Sequence, residues 1–257
     1  MSGKRFGQHF LNSVYIVKKI VKFARIKNGV VIEIGAGKGL LTREIAKQAR
    51  IVYAIEIDHW YAEILAKKNI PNTKIINIDF LKFDLSNYKD CIIVGNIPYY
   101  ITTRIIEKLV HDRDKFSHAV LTIQREYGER ILAKPGTPQY SSITCYVNYY
   151  FNVAKGFNIA PKFFTPKPKV ISMVIGLDRR PPPFLLKNEQ EFFEFINRIF
   201  CYRRKILKNA LLNYLNALPN FVDKGILAKR PEQLELSEYF QLYEKIKADN
   251  IPLPKSE

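Results

Sequence analysis

The sequence predicts an α/β protein: an open, doubly wound sheet with an antiparallel edge hairpin, followed by a small all-helical C-terminal domain. Three observations carry this. Through residue 133, short β-rich runs alternate with helical patterns, which calls for parallel strands joined by right-handed crossovers. After residue 141, two strand-like runs follow one another with no helix between them. Past the stiff Arg179-Arg180-Pro181-Pro182-Pro183 linker, apolar residues recur only at helical spacing. The division falls at residue 180, giving a sheet domain over 1–180 and a helical domain over 181–257.

In order, Ser13 stands ready to cap a helix over 14–24. Val30-Val31-Ile32-Glu33-Ile34 reads as a buried strand, followed by a glycine turn and a helix over 40–48. Strands over 51–57, 74–78, 91–94 and 119–123 alternate with helices over 60–68, 103–110 and 126–133. Residues 142–154 and 170–177 form the edge hairpin, joined by a proline-rich loop over 161–169. Beyond the linker come one long helix over 189–215, a short pattern over 221–227, and a last helix over 237–246 with Ser237 as its cap.

Apolar residues make up 47% and aromatics 13%, ample for a packed core, so disorder of the whole chain is excluded. Net charge is +17 and the pI about 9.7, a balance that favours polyanionic partners. Cys91, Cys145 and Cys201 are far apart, with no CxxC pair, and read as buried thiols rather than as a disulfide framework or a metal site. No metal is expected. The apolar run near the N-terminus is broken by Lys18 and Lys19, and no stretch nears the roughly 20 residues of a membrane span. The reading is a cytoplasmic protein.

Glu33-Ile34-Gly35-Ala36-Gly37-Lys38-Gly39 carries the most chemical information. A strand delivers these glycines to the carboxyl edge of the sheet, where ligands of open α/β sheets bind, and Gly35 and Gly37 let backbone approach a ligand closely. A dinucleotide fingerprint needs glycine at Leu40; here the third glycine is Gly39, giving GxGxG. Glu56 ends the second strand, where a carboxylate can accept both hydroxyls of a ribose. Asp79 ends the third, where it can accept from an adenine amino group beside the apolar wall of Phe80. Each acid alone is common at a strand end; both in register with the glycine turn point to an adenosyl ligand.

The fourth strand runs into Asn96-Ile97-Pro98-Tyr99-Tyr100. An amino group conjugated to a ring is a poor nucleophile until acceptors on its N–H bonds localise the lone pair. The Asn96 side-chain oxygen and the Ile97 carbonyl are candidates for that, Pro98 for stiffening the turn, and Tyr99 for stacking on the target base.

The chain strongly resembles the small-subunit ribosomal RNA adenine dimethyltransferases of the KsgA type, over nearly its whole length. The likeness rests on Lys4-Arg5-Phe6-Gly7-Gln8-His9-Phe10-Leu11-Asn12, the glycine motif, Ile55-Glu56-Ile57-Asp58, Asp79 and Gly95-Asn96-Ile97-Pro98-Tyr99. It extends through Phe164-Thr165-Pro166-Lys167-Pro168-Lys169-Val170 and Phe200-Cys201-Tyr202-Arg203-Arg204-Lys205. The resemblance implies a class I methyltransferase (Rossmann-like) fold, with S-adenosylmethionine as cofactor. The opening segment would fold over that cofactor, with His9, Leu11 and Gly35 at its methionine end and Asn96 between donor and acceptor. Many relatives carry Asn where His9 stands. Phe164 would flank the target adenine opposite Tyr99, and by its own character it is equally a core aromatic. The implied reaction is dimethylation of two adjacent adenosines near the 3′ end of small-subunit ribosomal RNA. The implied partner is that RNA within a partly assembled subunit, with the enzyme a monomer.

Apolar Phe192, Ile196, Ile199, Phe200, Ile206, Leu207, Ala210 and Leu211 define a buried helix face, and Arg203, Arg204, Lys205 and Lys208 cluster along the same helix as a phosphate-binding ridge. His59, His111 and His118 have no ligand spacing and read as surface residues. Three alternatives stay open: an Erm-type dimethylase of large-subunit RNA, a nonenzymatic nucleic-acid-binding relative, and a nicotinamide oxidoreductase. The glycine spacing disfavours the last.

Overall fold

The computed structural model describes residues 8–219 and 223–254; residues 4–7 of the opening segment and Phe221 of the short C-terminal pattern lie outside the described residues. After a short strand, β1 (Phe10–Leu11), the chain enters α1 (Val14–Phe23), capped by Ser13 Oγ accepting from Ile16 N–H. Ile16, Val17, Ile20 and Val21 share one buried face of this helix. Each such side chain removed from water contributes roughly 1.5–3 kcal/mol. β2 (Val30–Ile34), α2 (Leu40–Ala46), β3 (Ile51–Glu56), α3 (His59–Lys67), β4 (Thr73–Asn77), β5 (Cys91–Asn96), α4 (Thr102–His111) and β6 (Phe116–Gln124) then alternate as expected. They are followed by α5 (Arg125–Ile131), α6 (Ser142–Tyr150), β7 (Phe151–Ile159), β8 (Phe164–Thr165) and β9 (Ser172–Arg179).

Seven strands form one sheet in the order β4-β3-β2-β5-β6-β9-β7, parallel through β6 and antiparallel across β9 and β7. The edge hairpin is present, but its first strand starts later than the sequence suggests. Residues 142–150, rich in β-branched and aromatic side chains, form α6 instead. One local and two longer-range hydrogen bonds fix the helix: Ser141 N–H donates to Thr144 Oγ1, Thr144 Oγ1 donates to the Arg130 carbonyl at 2.6 Å, and Asn148 Nδ2 donates to the Ile131 carbonyl. Tertiary context overrides β propensity here.

The chain divides into two compact units. The first is the chain up to Gly128 together with Tyr150–Arg180; the second is Glu129–Tyr149 with the chain from Pro181 on. The 129–149 segment, expected in the sheet domain, therefore belongs with the C-terminal helices. Gly136 N–H donates to the Glu232 carbonyl at 2.6 Å, and the Tyr140 ring lies 6.0 Å from that of Phe200. The second unit also contains α7 (Glu189–Cys201), α8 (Leu207–Leu215), α9 (Lys224–Ala228) and α10 (Leu236–Ala248). Its core is aromatic, with Phe184 stacked on Phe240 at 4.1 Å and Phe192, Phe195 and Tyr239 fully buried.

Two helical expectations change. The single helix over 189–215 is broken at 202–206 into α7 and α8, so Phe200 is only half-buried and Ile206 is exposed. The N-cap of the last helix is not Ser237 but Glu235, whose N–H donates to Glu238 Oε2 at 2.9 Å.

Gly39 opens α2 in the left-handed region (φ 76°), and a Cβ there would lie 2.2 Å from Leu65 Cδ1. Gly39→Ala is therefore expected to lower unfolding free energy by about 1–3 kcal/mol, read as a lower urea midpoint at unchanged slope.

Candidate active site

Strand register assembles the site. β2 lies between β3 and β5, with Ile34 opposite both Ile55 and Gly95. Chain order reverses there, making the crevice beyond the three strand ends the point where open sheets take ligands. Gly35, Glu56 and Asn96 each follow one residue after these partners, so they meet at one edge.

Glu56 is 1% exposed. Its Oε2 accepts from Gly37 N–H at 2.7 Å and its Oε1 from Asp58 N–H at 2.9 Å. Burial raises its pKa, opposed by these backbone donors. The carboxylate thus pins the glycine turn, and a Cβ on Gly37 would lie 2.6 Å from the Phe10 ring that covers it.

Asn96 Nδ2 donates to the His9 carbonyl at 2.7 Å. A carbonyl only accepts, so this contact fixes which end of the amide is nitrogen and leaves Oδ1 as an acceptor. The His9 Nδ1–Pro166 carbonyl contact, 2.7 Å, likewise requires the proton on Nδ1. β1 pairs with β8, Asn12 N–H donates to the Phe163 carbonyl, and Asn12 Nδ2 donates to Thr165 Oγ1. Residues 9–12 are in this way strapped to 162–166. Ile97 N–H donates to the Thr122 carbonyl at 3.0 Å, and Tyr99 OH bonds Ser172 Oγ at 2.8 Å. Burial raises the Tyr99 pKa, so its hydroxyl stays protonated.

His9, Gly35, Glu56, Asn96, Ile97, Pro98, Tyr99 and Phe164 line one cleft, together with Gln8 and Phe10. Leu11 borders an adjoining cleft with Glu33, sharing Gly35 and Asn96 with the first. Gly37 sits behind these walls. Asp79 and Phe80 lie on the same edge but outside both clefts. Asp79 Oδ1 accepts from Leu81 N–H at 2.9 Å, and Phe80 is buried with the Lys108 ammonium 5.6 Å from its ring centre.

The basic residues of the second unit do not form a helical ridge. Arg203, Arg204 and Lys205 occupy the turn between α7 and α8, and Lys208 the first turn of α8. Arg203 bonds Glu232 Oε2 at 2.5 Å and the Pro138 carbonyl, a structural engagement. Lys205 Nζ donates to Asn213 Oδ1 at 3.2 Å, whereas Arg204 and Lys208 are exposed.

Two smaller expectations are corrected. His118 is buried, its Nε2 2.5 Å from the Ala24 carbonyl, because β6 is an interior strand. Cys201, near the end of α7, is exposed, whereas burial pushes the Cys91 and Cys145 thiols up to about 12. Among the described residues, no group of His, Cys, Asp and Glu is placed to hold a metal ion, and no helix is long and apolar enough to cross a membrane.

Gln8, Phe10, Glu33 and Ser172 are site residues the sequence reading did not single out. The first three stand inside quoted motifs, which was the available signal; Ser172 reaches Tyr99 only through the sheet.

Fold and site together define a class I methyltransferase. The chain belongs to the ribosomal RNA adenine dimethylase family, whose model matches residues 2–247. It is 39% identical over 245 residues to ribosomal RNA small subunit methyltransferase A of Mesomycoplasma hyopneumoniae, covering 93% of this chain and 94% of that one. A dimethyladenosine transferase from Plasmodium falciparum superposes with a TM-score of 0.82 at 28% identity, over 95% of this chain and 99% of the other. The 23S rRNA methyltransferase ErmE gives 0.66 at 26%, over 93% and 99%.

Glu33 is buried, with Oε2 lacking a hydrogen-bond partner among the described residues. Burial raises its pKa from 4.5 to about 8, with the Thr42 hydroxyl opposing and the Glu56 charge adding. A carboxyl protonated in the fold but ionised in the unfolded chain stabilises fully below about 4.5 and loses that contribution as pH rises through about 8. Stability is therefore expected to fall between pH 5 and 8. Glu33→Gln, uncharged throughout, should show a smaller fall in urea unfolding across this range. Glu56 acts with the same sign in both proteins, so the difference reports Glu33 together with its coupling to Glu56.

Proposed function

We propose that this protein transfers methyl groups from S-adenosylmethionine to N6 of two adjacent adenosines near the 3′ end of small-subunit ribosomal RNA, in the cytoplasm, acting as a monomer on a partly assembled subunit. The observation that carries this reading is the Asn96 amide: its donor is held by the His9 carbonyl, and its acceptor is left in a cleft shared with Gly35, Glu56, Tyr99 and Phe164.

The residues fit the cofactor. Gly35, at φ 71°, presents bare backbone, and Gln8 Oε1 and Glu33 Oε2 are buried acceptors without partners among the described residues. Gly35, Gly37, His9 and Leu11 would hold the methionine end and Glu56 the ribose. Asp79 would hold the adenine amino group through Oδ2, with Phe80 beside it. When bound, S-adenosylmethionine supplies an electrophilic sulfonium methyl.

The chain's own residues prepare the acceptor. Asn96 Oδ1 and the Ile97 carbonyl accept the N6–H bonds, drawing the nitrogen toward sp³ and localising its lone pair. Pro98 fixes the turn, and Tyr99, anchored through Ser172, offers a stacking face worth roughly 1–3 kcal/mol per base. Phe164 closes the opposite side. No general base is required, because N6 becomes acidic as its bond to carbon forms; positioning and polarisation supply the rate. A methylated base that keeps one N–H still meets one acceptor, which suits a second transfer.

Radiolabelled S-adenosylmethionine, with unmethylated small subunits and large-subunit RNA in parallel, tests this. Dimethyladenosine is expected in the small-subunit RNA, and Asn96→Ala is expected to reduce kcat by about a hundredfold or more. Label confined to large-subunit RNA would overturn the substrate assignment.

The basic turn yields a second test. Arg204→Ala with Lys208→Ala should weaken RNA binding and reduce the log–log salt slope by about two. Arg203→Ala should instead destabilise the second unit by about 1–3 kcal/mol, because it leaves Glu232 without its guanidinium. Filter binding and thermal unfolding separate the two.

A further inference from the structure

A second cavity lies on the α1 side of the sheet. It has a volume of about 420 Å³, within the range of roughly 300–1,000 Å³ typical of ligand sites. Val120, Ala154 and Gly176 make its floor, and Phe23 of α1 and Phe157 of β7 its aromatic walls. No catalytic or cofactor candidate lines it. Val120 lies two residues before Thr122, the partner of Asn96, and Asp178 two pairs further still from the catalytic edge.

Its rim is cationic. Lys19, Lys22 and Arg25 surround the opening, and the single carboxylate there, Asp178, is bound by Arg25. Lys19 and Lys22 stand three apart on α1, so they project from one face. Lys19 is half-buried, its ammonium 4.2 Å from the Phe157 ring centre, so one positive charge is built into the wall. Just beyond α1, Arg25 adopts a left-handed backbone (φ 52°), a position where glycine or asparagine is usual.

An apolar, aromatic-walled cavity with a cationic rim fits a flat heteroaromatic group joined to a phosphate. We propose that this cavity takes a nucleotide of the substrate RNA away from the methylated adenosines, its base against Phe23 and Phe157 and its phosphates on Lys19 and Lys22. The net charge of +17 and the family's ribosomal RNA chemistry favour RNA over a free nucleotide as the occupant. The inference rests on the ribosomal RNA reading above and adds a second contact that anchors the substrate while the cleft acts on it.

Lys19→Ala with Lys22→Ala, and separately Phe157→Leu, which keeps apolar bulk but removes the aromatic face, test it in the full chain. With small-subunit RNA, the lysine variant should raise KM about tenfold and lower the log–log salt slope of binding by about two. The Phe157→Leu variant should raise KM with little change in slope. Neither should change kcat at saturating RNA or the Kd for S-adenosylhomocysteine. RNA carrying 4-thiouridine should photocrosslink to peptides containing Phe23 or Phe157. Unchanged KM and slope in both variants, with a wild type that methylates small-subunit RNA, overturns the inference and leaves the catalytic reading intact. Saturable binding of AMP that the variants lose, with RNA KM unchanged, overturns RNA as the occupant. A wild type that methylates no small-subunit RNA sinks the catalytic reading instead, and the crosslink then decides the cavity on binding alone.

Discussion

One buried carboxylate organises the carboxyl edge of the sheet. Glu56 ends β3, yet its oxygens are held by backbone N–H groups of Gly37, in the turn after β2, and of Asp58, at the start of α3. A carboxylate this buried is costly without donors, so the carboxylate and the two turns specify one another. Because the turn is pinned, Gly35 lies open to the cleft and Gly37 lies tight beneath Phe10. A carboxylate has about four acceptor positions and two are taken, which leaves capacity for the hydroxyls of a ribose.

The second tie is the strap. Asn96 belongs to β5, but its amide holds the carbonyl of His9, and His9 in turn holds Pro166. Three segments separated by more than sixty residues of chain thus form one hydrogen-bonded chain around the cleft. The roles of Asn96 as strap and as acceptor are compatible because an amide has two chemically distinct ends. Aspartate could not do both, since it offers no donor to a carbonyl.

The parallel half of the fold was legible because its strands are apolar runs separated by helical patterns, and strand register converts motif order into spatial adjacency. Gly35, Glu56 and Asn96 needed only the rule that parallel strands present their carboxyl ends together. Residues 142–150 were not legible, because Ser-Ile-Thr-Cys-Tyr-Val favours strand locally and the bonds that make it a helix come from Arg130 and Ile131. The basic turn misled for a related reason. Apolar spacing runs through 202–206 almost in phase, while the break that turns Arg203 toward Glu232 is a tertiary contact. Ser172, bound to Tyr99 across more than seventy residues, leaves no local mark.

What the fold leaves unsatisfied is as informative as what it satisfies. Buried side-chain atoms without partners among the described residues include Gln8 Oε1 and Glu33 Oε2, both at the clefts, and, away from them, Arg180 Nε and Glu194 Oε1. A stable core tolerates few such atoms, since each costs about 1–3 kcal/mol. Two of these acceptors, Gln8 Oε1 and Glu33 Oε2, meet at the clefts, where a ligand with donors to offer would satisfy them. A raised carboxyl at Glu33 reduces that cost in the free protein by staying protonated, and a cationic donor arriving in the cleft would draw the proton off. The same burial that makes Glu33 expensive to ionise thus makes it responsive to a positively charged group placed beside it.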